Sequence, residues 1–139
     1  MFHLAARSAG ACLPVVARPG CAGRIQQFVD THGIEAGWIA TAVGSLTEWS
    51  LRFANRPTAS RGSGHFEIVS LCGTVSKHGS HLHLAISDGE GQTIGGHLLP
   101  GCRVYTTAEI VIGESEAHVF TRGKDGTTPW AELQIRGRR

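Results

Sequence analysis

His81-Leu-His-Leu-Ala-Ile-Ser-Asp88-Gly-Glu-Gly-Gln92-Thr-Ile-Gly-Gly-His97-Leu98 reads as a β-hairpin whose pairing can be worked out from the residues alone. If Gly89-Glu90-Gly91 is a three-residue turn and Asp88 pairs with Gln92, then Ile86 faces Ile94, Leu84 faces Gly96 and Leu82 faces Leu98, giving one apolar face. The opposite face pairs His83 with His97, and His81, two residues before His83, points the same way. A two-residue turn would shift the register by one and mix polar and apolar residues on both faces. Three imidazoles within a side-chain length of one another make a plausible metal site. Neutral imidazoles suit zinc, and a fourth position is left for water, a carboxylate or a ligand. The plainer reading makes them polar residues on the solvated face of a half-buried hairpin. Gly95 would lie across from Ala85 and leave a pocket beside the histidines, or else mark a bulge or tight bend.

Outward from the hairpin, the chain of 139 residues, 41% hydrophobic, suits one domain with a real core. A net charge of +2 gives no strong pull on nucleic acid, and the basic residues are dispersed except at Arg136-Gly137-Arg138-Arg139. Cys12, Cys21, Cys72 and Cys102 have no C-x-x-C spacing, which favours a reduced, cytoplasmic protein. Cys72 and Cys102 fall in strand-like runs and read as small core residues. The N-terminus lacks the continuous apolar stretch of a signal peptide, and no segment is long enough to cross a membrane.

Pro19-Gly20 is turn chemistry. Ile25, Phe28 and Val29 then follow helical spacing, with His32-Gly33 as the stop. From Trp38 on, short strands broken by glycine are expected at 38–43, 46–54, 65–76, the hairpin, 103–113, 116–121 and 131–135. In the 103–113 run, Val104, Thr106, Ala108, Ile110 and Ile112 share one face, and Tyr105, Thr107, Glu109 and Val111 the other. Residues 55–64, rich in Ser, Gly, Arg and Pro, read as a mobile loop. No repeat or linker is evident. The fold class is α+β, a mainly antiparallel sheet with one principal helix packed on it.

Glu67 and Glu109 lie within otherwise apolar strands, where a carboxylate is costly unless it is exposed, paired or metal-bound. Either could accept a hydrogen bond from a ligating imidazole or act as general base on a metal-bound water. Either could equally be a solvent-facing residue on an edge strand.

Gly44-Ser45-Leu46, Gly64-His-Phe-Glu67-Ile-Val-Ser-Leu-Cys-Gly73, His81-Leu-His83, Gly95-Gly96-His97-Leu98, Gly101 and Thr107-Ala-Glu109 together resemble the PPC (plants and prokaryotes conserved) family, also called DUF296. This domain accompanies AT-hooks in plant nuclear proteins. The resemblance covers residues 19–136, leaving a poorly matched segment 1–18 and a basic tail 137–139. It implies a compact α+β domain assembled as a homotrimer, a metal, zinc, on His81, His83 and His97 near a subunit boundary, and a DNA or regulatory-protein partner. His65 stands where the family usually has arginine, so the partner-binding role of 64–68 in plant members is not carried over. Arg136-Gly137-Arg138 matches the AT-hook core without its flanking prolines. Two functional readings follow. One is a metal-stabilised trimeric binding module associated with DNA. The other is a metal-dependent enzyme or small-molecule binder in which an open coordination position polarises a substrate and Glu67 or Glu109 moves a proton.

Overall fold

The structure, a computed structural model, describes residues 2–6, 12–15 and 21–138. Its elements are β1 (Phe2–Ala6), β2 (Cys12–Val15), α1 (Cys21–His32), β3 (Gly37–Arg52), β4 (Ser60–Val75), β5 (His81–Ser87), β6 (Thr93–Leu98), β7 (Arg103–Glu114), β8 (His118–Gly123) and β9 (Glu132–Gly137).

The β5–β6 hairpin forms in the register read from the sequence, with Ile86 opposite Ile94, Leu84 opposite Gly96, Ala85 opposite Gly95 and His83 opposite His97. The turn is closed by the Asp88 N–H donating to the Gln92 carbonyl at 3.0 Å. The Asp88 carboxylate accepts from the backbone N–H groups of Glu90 and Gln92, and Gly91 takes a positive φ of 80°. One expected pair is different. Leu98 does not pair with Leu82 but with Leu51, and His97 also lies opposite Arg52, because β6 swings onto the far end of β3. That pairing covers the free edge of β6 and closes β3, β4, β5 and β6 into a ring. Leu82 and Leu98 both remain buried.

Beyond the ring, the seven-stranded sheet runs in the order β2-β1-β7-β3-β4-β5-β6, antiparallel except for the parallel β1–β7 pair. Its concave side is the core. Leu46, Leu51, Val75, Leu84, Ile86, Ala108, Ile110 and Ile112 pack there with Ile25, Phe28 and Val29 of α1. Helix α1 stops where the sequence signals it. Gly33 takes φ 64°, its N–H donates to Asp30 O, and the Ile34 N–H donates to Val29 O, a Schellman closure. The opposite side of the sheet faces outward and exposes Trp38, Val43, Tyr105 and Val111. Among the described residues, no helix is long and apolar enough to cross a membrane.

Several expectations are corrected. The runs 38–43 and 46–54 are one strand, β3, which continues through Gly44 at φ 144°. The loop expected over 55–64 is shorter, because β4 starts at Ser60 and pairs Gly62 with Trp49. The glycine that read as loop admits an indole: a Cβ on Gly62 would stand 2.7 Å from the Trp49 ring. Cys72 is exposed rather than a core residue, whereas Cys102 is buried as expected. The regular alternation along 103–113 breaks at Thr106, which is exposed, where β7 bulges against β3 between Val104 and Ala108. Of the residues read as a basic tail, Gly137 ends β9. Arg138 is docked, its backbone N–H on Ala117 O and its guanidinium paired with Glu35, which also pairs with Lys77. The Pro19-Gly20 turn lies outside the described residues, and segment 1–18 is described only as the strands β1 and β2.

Candidate metal centre

The hairpin register and the closure of the ring bring three imidazoles together. His81 and His83 alternate with the buried Leu82 and Leu84 on β5, so both project from the outward face, and His97 reaches the same face from β6. One ring nitrogen from each lies within 4.8 Å of the others, and His81 Nε2 stands 3.2 Å from His83 Nε2. A tetrahedral zinc bound at about 2.0–2.1 Å per nitrogen spaces neighbouring ligand atoms about 3.3–3.4 Å apart. The His81–His83 pair already has that spacing. The Nδ1 of His97 is buried with no hydrogen-bond partner among the described residues, an orphaned nitrogen beside the other two rings. The donor set fits a divalent ion of the zinc type.

The electrostatics favour the neutral, ligating form of His97 and His81. Burial lowers the pKa of His97 to about 4, with His81, Arg52, His83 and Arg122 adding repulsion. Burial, then Arg122 and His83, lower that of His81 as well. A neutral imidazole binds metal without first releasing a proton. A consequence follows for the metal-free protein. Between the ordinary histidine pKa of 6.5 and about 4, the unfolded chain binds a proton at residue 97 that the folded chain does not. Stability therefore falls as pH drops through that window. Denaturant midpoints measured in chelator across it should fall more steeply for wild type than for H97Q, and parallel slopes would contradict the assignment.

Beside the rings is a cavity of about 290 Å³, lined by Cys72, Gly73, Thr74, His81, His83, Arg122, Glu132 and Leu133. Cys72 lies opposite His83 in the β4–β5 register, on the same outward face. Arg122 Nη2 donates to Thr74 Oγ1 at 2.8 Å, and Arg122 Nε is buried without a hydrogen-bond partner among the described residues.

Residues 20–116 match the family model of the Plants and Prokaryotes Conserved (PCC) domain, most of the chain and all of the ring that carries the histidines. The chain belongs to the PCC domain family. The chain is 42% identical over 111 residues to the bifunctional protein GlmU of a Synechococcus strain; that stretch is 80% of this chain but only 18% of GlmU, so the chain spans under a fifth of that relative. A solved hypothetical protein from Salmonella is 39% identical, covering 91% of this chain and 99% of that one at a TM-score of 0.85. A Bacteroides thetaiotaomicron structure described as a "putative DNA binding protein" shares the fold at 21% identity and a TM-score of 0.75, covering 86% of this chain and 87% of that one.

The PCC match ends at residue 116, so the β8–β9 hairpin that supplies Arg122, Glu132 and Leu133 to the cavity lies beyond it. Sequence reading did not single out these three residues, nor Thr74 and Cys72, as site residues. Glu67 and Glu109, which it did single out, are exposed on the same outward face as the imidazoles but away from the cavity. Glu67 lies opposite Ser87, four residues along β5 from His83 and hence about 13 Å away along the strand. Glu109 pairs with Val43, so β3 and β4 separate its strand from β5. Within one chain, neither carboxylate joins the imidazole cluster.

Proposed function

We propose that this chain is a metal-binding module of the PCC family, holding zinc on His81, His83 and His97 and working as a homotrimer. The observation that carries the reading is the convergence of the three imidazoles, one ring nitrogen of each lying within 4.8 Å of the others. Zinc accepts an all-imidazole set and, with three protein ligands, keeps a fourth position for water or a ligand. The family resemblance supports the trimer. So does the outward face, where Trp38, Val43, Tyr105 and Val111 expose apolar surface of the kind that subunits cover. Calorimetric titration of zinc into chelator-stripped protein tests the module directly. A single saturable site per chain is expected, and weak, unsaturable uptake would contradict it.

Association with DNA is a second reading, favoured by the description of the Bacteroides relative. Arg138 is docked on Glu35, so binding would draw on other arginines and weaken steeply with salt. The enzymatic reading is favoured by the cavity beside the rings. Glu132, which lines that cavity, would join Glu67 and Glu109 as a carboxylate able to receive a proton in this reading. An exchangeable fourth ligand separates this reading from a purely structural ion.

A further inference from the structure

The cavity wall contributed by β8 and β9 places a guanidinium, Arg122, beside a candidate cation site. Arg122 lines it and makes no ion pair among the described residues. Its Nη2 donates to Thr74 Oγ1, while its Nε is shielded from water without a partner among the described residues. Arg52, opposite His97 in the register, stands close by and stacks its guanidinium 5.6 Å from the Trp130 ring centre. Glu132 is the one carboxylate among the lining residues. With the Arg122 and Glu132 charges offsetting each other in the cavity lining, a divalent ion on three imidazoles would leave its own positive charge uncompensated, with Arg52 nearby adding to it. An anion offsets that charge, and arginine's planar fork matches the paired oxygens of carboxylates and phosphates.

We infer that the cavity binds a small oxyanion, a carboxylate or phosphate group, seated between Arg122 and the open coordination position of the ion held by His81, His83 and His97. This rests on the metal reading above. The cavity of about 290 Å³ limits the ligand to a small molecule or the anionic end of a larger one. Thr74 holds the guanidinium in place through the Nη2–Oγ1 hydrogen bond. Arg122 is therefore a binding residue that selects charge, and the imidazoles supply the second attachment through the ion.

The test uses the whole chain loaded with cobalt(II), whose visible bands report the fourth ligand. Inorganic phosphate and acetate are titrated separately, so that the two arms distinguish phosphate from carboxylate preference. Wild type should show saturable band shifts with at least one of them. R122Q should keep its cobalt and bind the anion about tenfold to a hundredfold more weakly. R122K, which retains the charge without the fork, should fall between, and circular dichroism confirms that both variants fold. Cobalt loading with no spectral response to either anion overturns the inference and leaves the metal reading standing, as does equal anion affinity in wild type and R122Q. Failure of the wild type to take up cobalt overturns both.

Discussion

His83→Ala should strip the protein of its metal while leaving the sheet folded. The imidazole is exposed on the outward face, while its neighbours Leu82 and Leu84, 5% and 2% exposed, anchor β5 in the core from the other side. The ring contacts of residue 83 are with His81 and His97 on that outward face, not with the core. Stability in chelator should stay within about 0.5 kcal/mol of wild type, as for surface substitutions generally. The ion, by contrast, loses one of three protein ligands. Losing an outer partner of a ligand already costs about 10- to 100-fold in affinity, so losing a ligand itself should cost more. Metal content per chain and a denaturation curve in chelator read the two effects separately. Stoichiometric metal in the purified variant would contradict the three-histidine site.

The second large effect is expected at Gly73→Ala, which acts on the fold and reaches the site through it. Gly73 lies opposite Leu82 in the β4–β5 pair and takes φ 131°, a conformation that side chains rarely adopt. A Cβ there would overlap the carbonyl oxygen of His81 and stand 3.0 Å from Leu82 Cα. Those neighbours are backbone, so relief requires β5 to move off β4. The strain and overpacking together should cost about 2–5 kcal/mol. Displacing β5 also displaces His81, so zinc affinity should fall in the same variant. Gly89→Ala, where no atom lies within 4 Å of the added Cβ, is the neutral comparison. Equal urea midpoints for the two variants would contradict the close approach of β4 and β5.

Both predictions trace back to a hairpin that was legible because its information is local. The alternation of Leu82, Leu84 and Ile86 with His81 and His83 fixes the faces, and Asp88 with Gly91 fixes the turn. The end of α1 was legible for the same reason, since His32-Gly33 carries its own closure. The rest depends on contacts between distant segments. Nothing near Leu98 announces that it pairs with Leu51, and the closure of the ring was missed for that reason. Cys72 was misplaced because β4 bulges at Val69, between Ile68 and Ser70, which breaks the simple alternation. Arg122 and Glu132 come from a two-stranded sheet, β8–β9, whose docking beside β4 and β5 leaves no periodic trace in the chain. Glu67 and Glu109 drew attention as carboxylates within apolar strands. Both side chains face outward, so the burial cost that made them conspicuous does not arise.

The most direct test of the metal centre is elemental analysis of gel-filtered protein, expressed as metal per chain. About one zinc per chain is expected. Protein that carries no divalent metal as purified, and takes up none after reconstitution with zinc, would contradict the account and leave His81, His83 and His97 as polar residues lining a cleft.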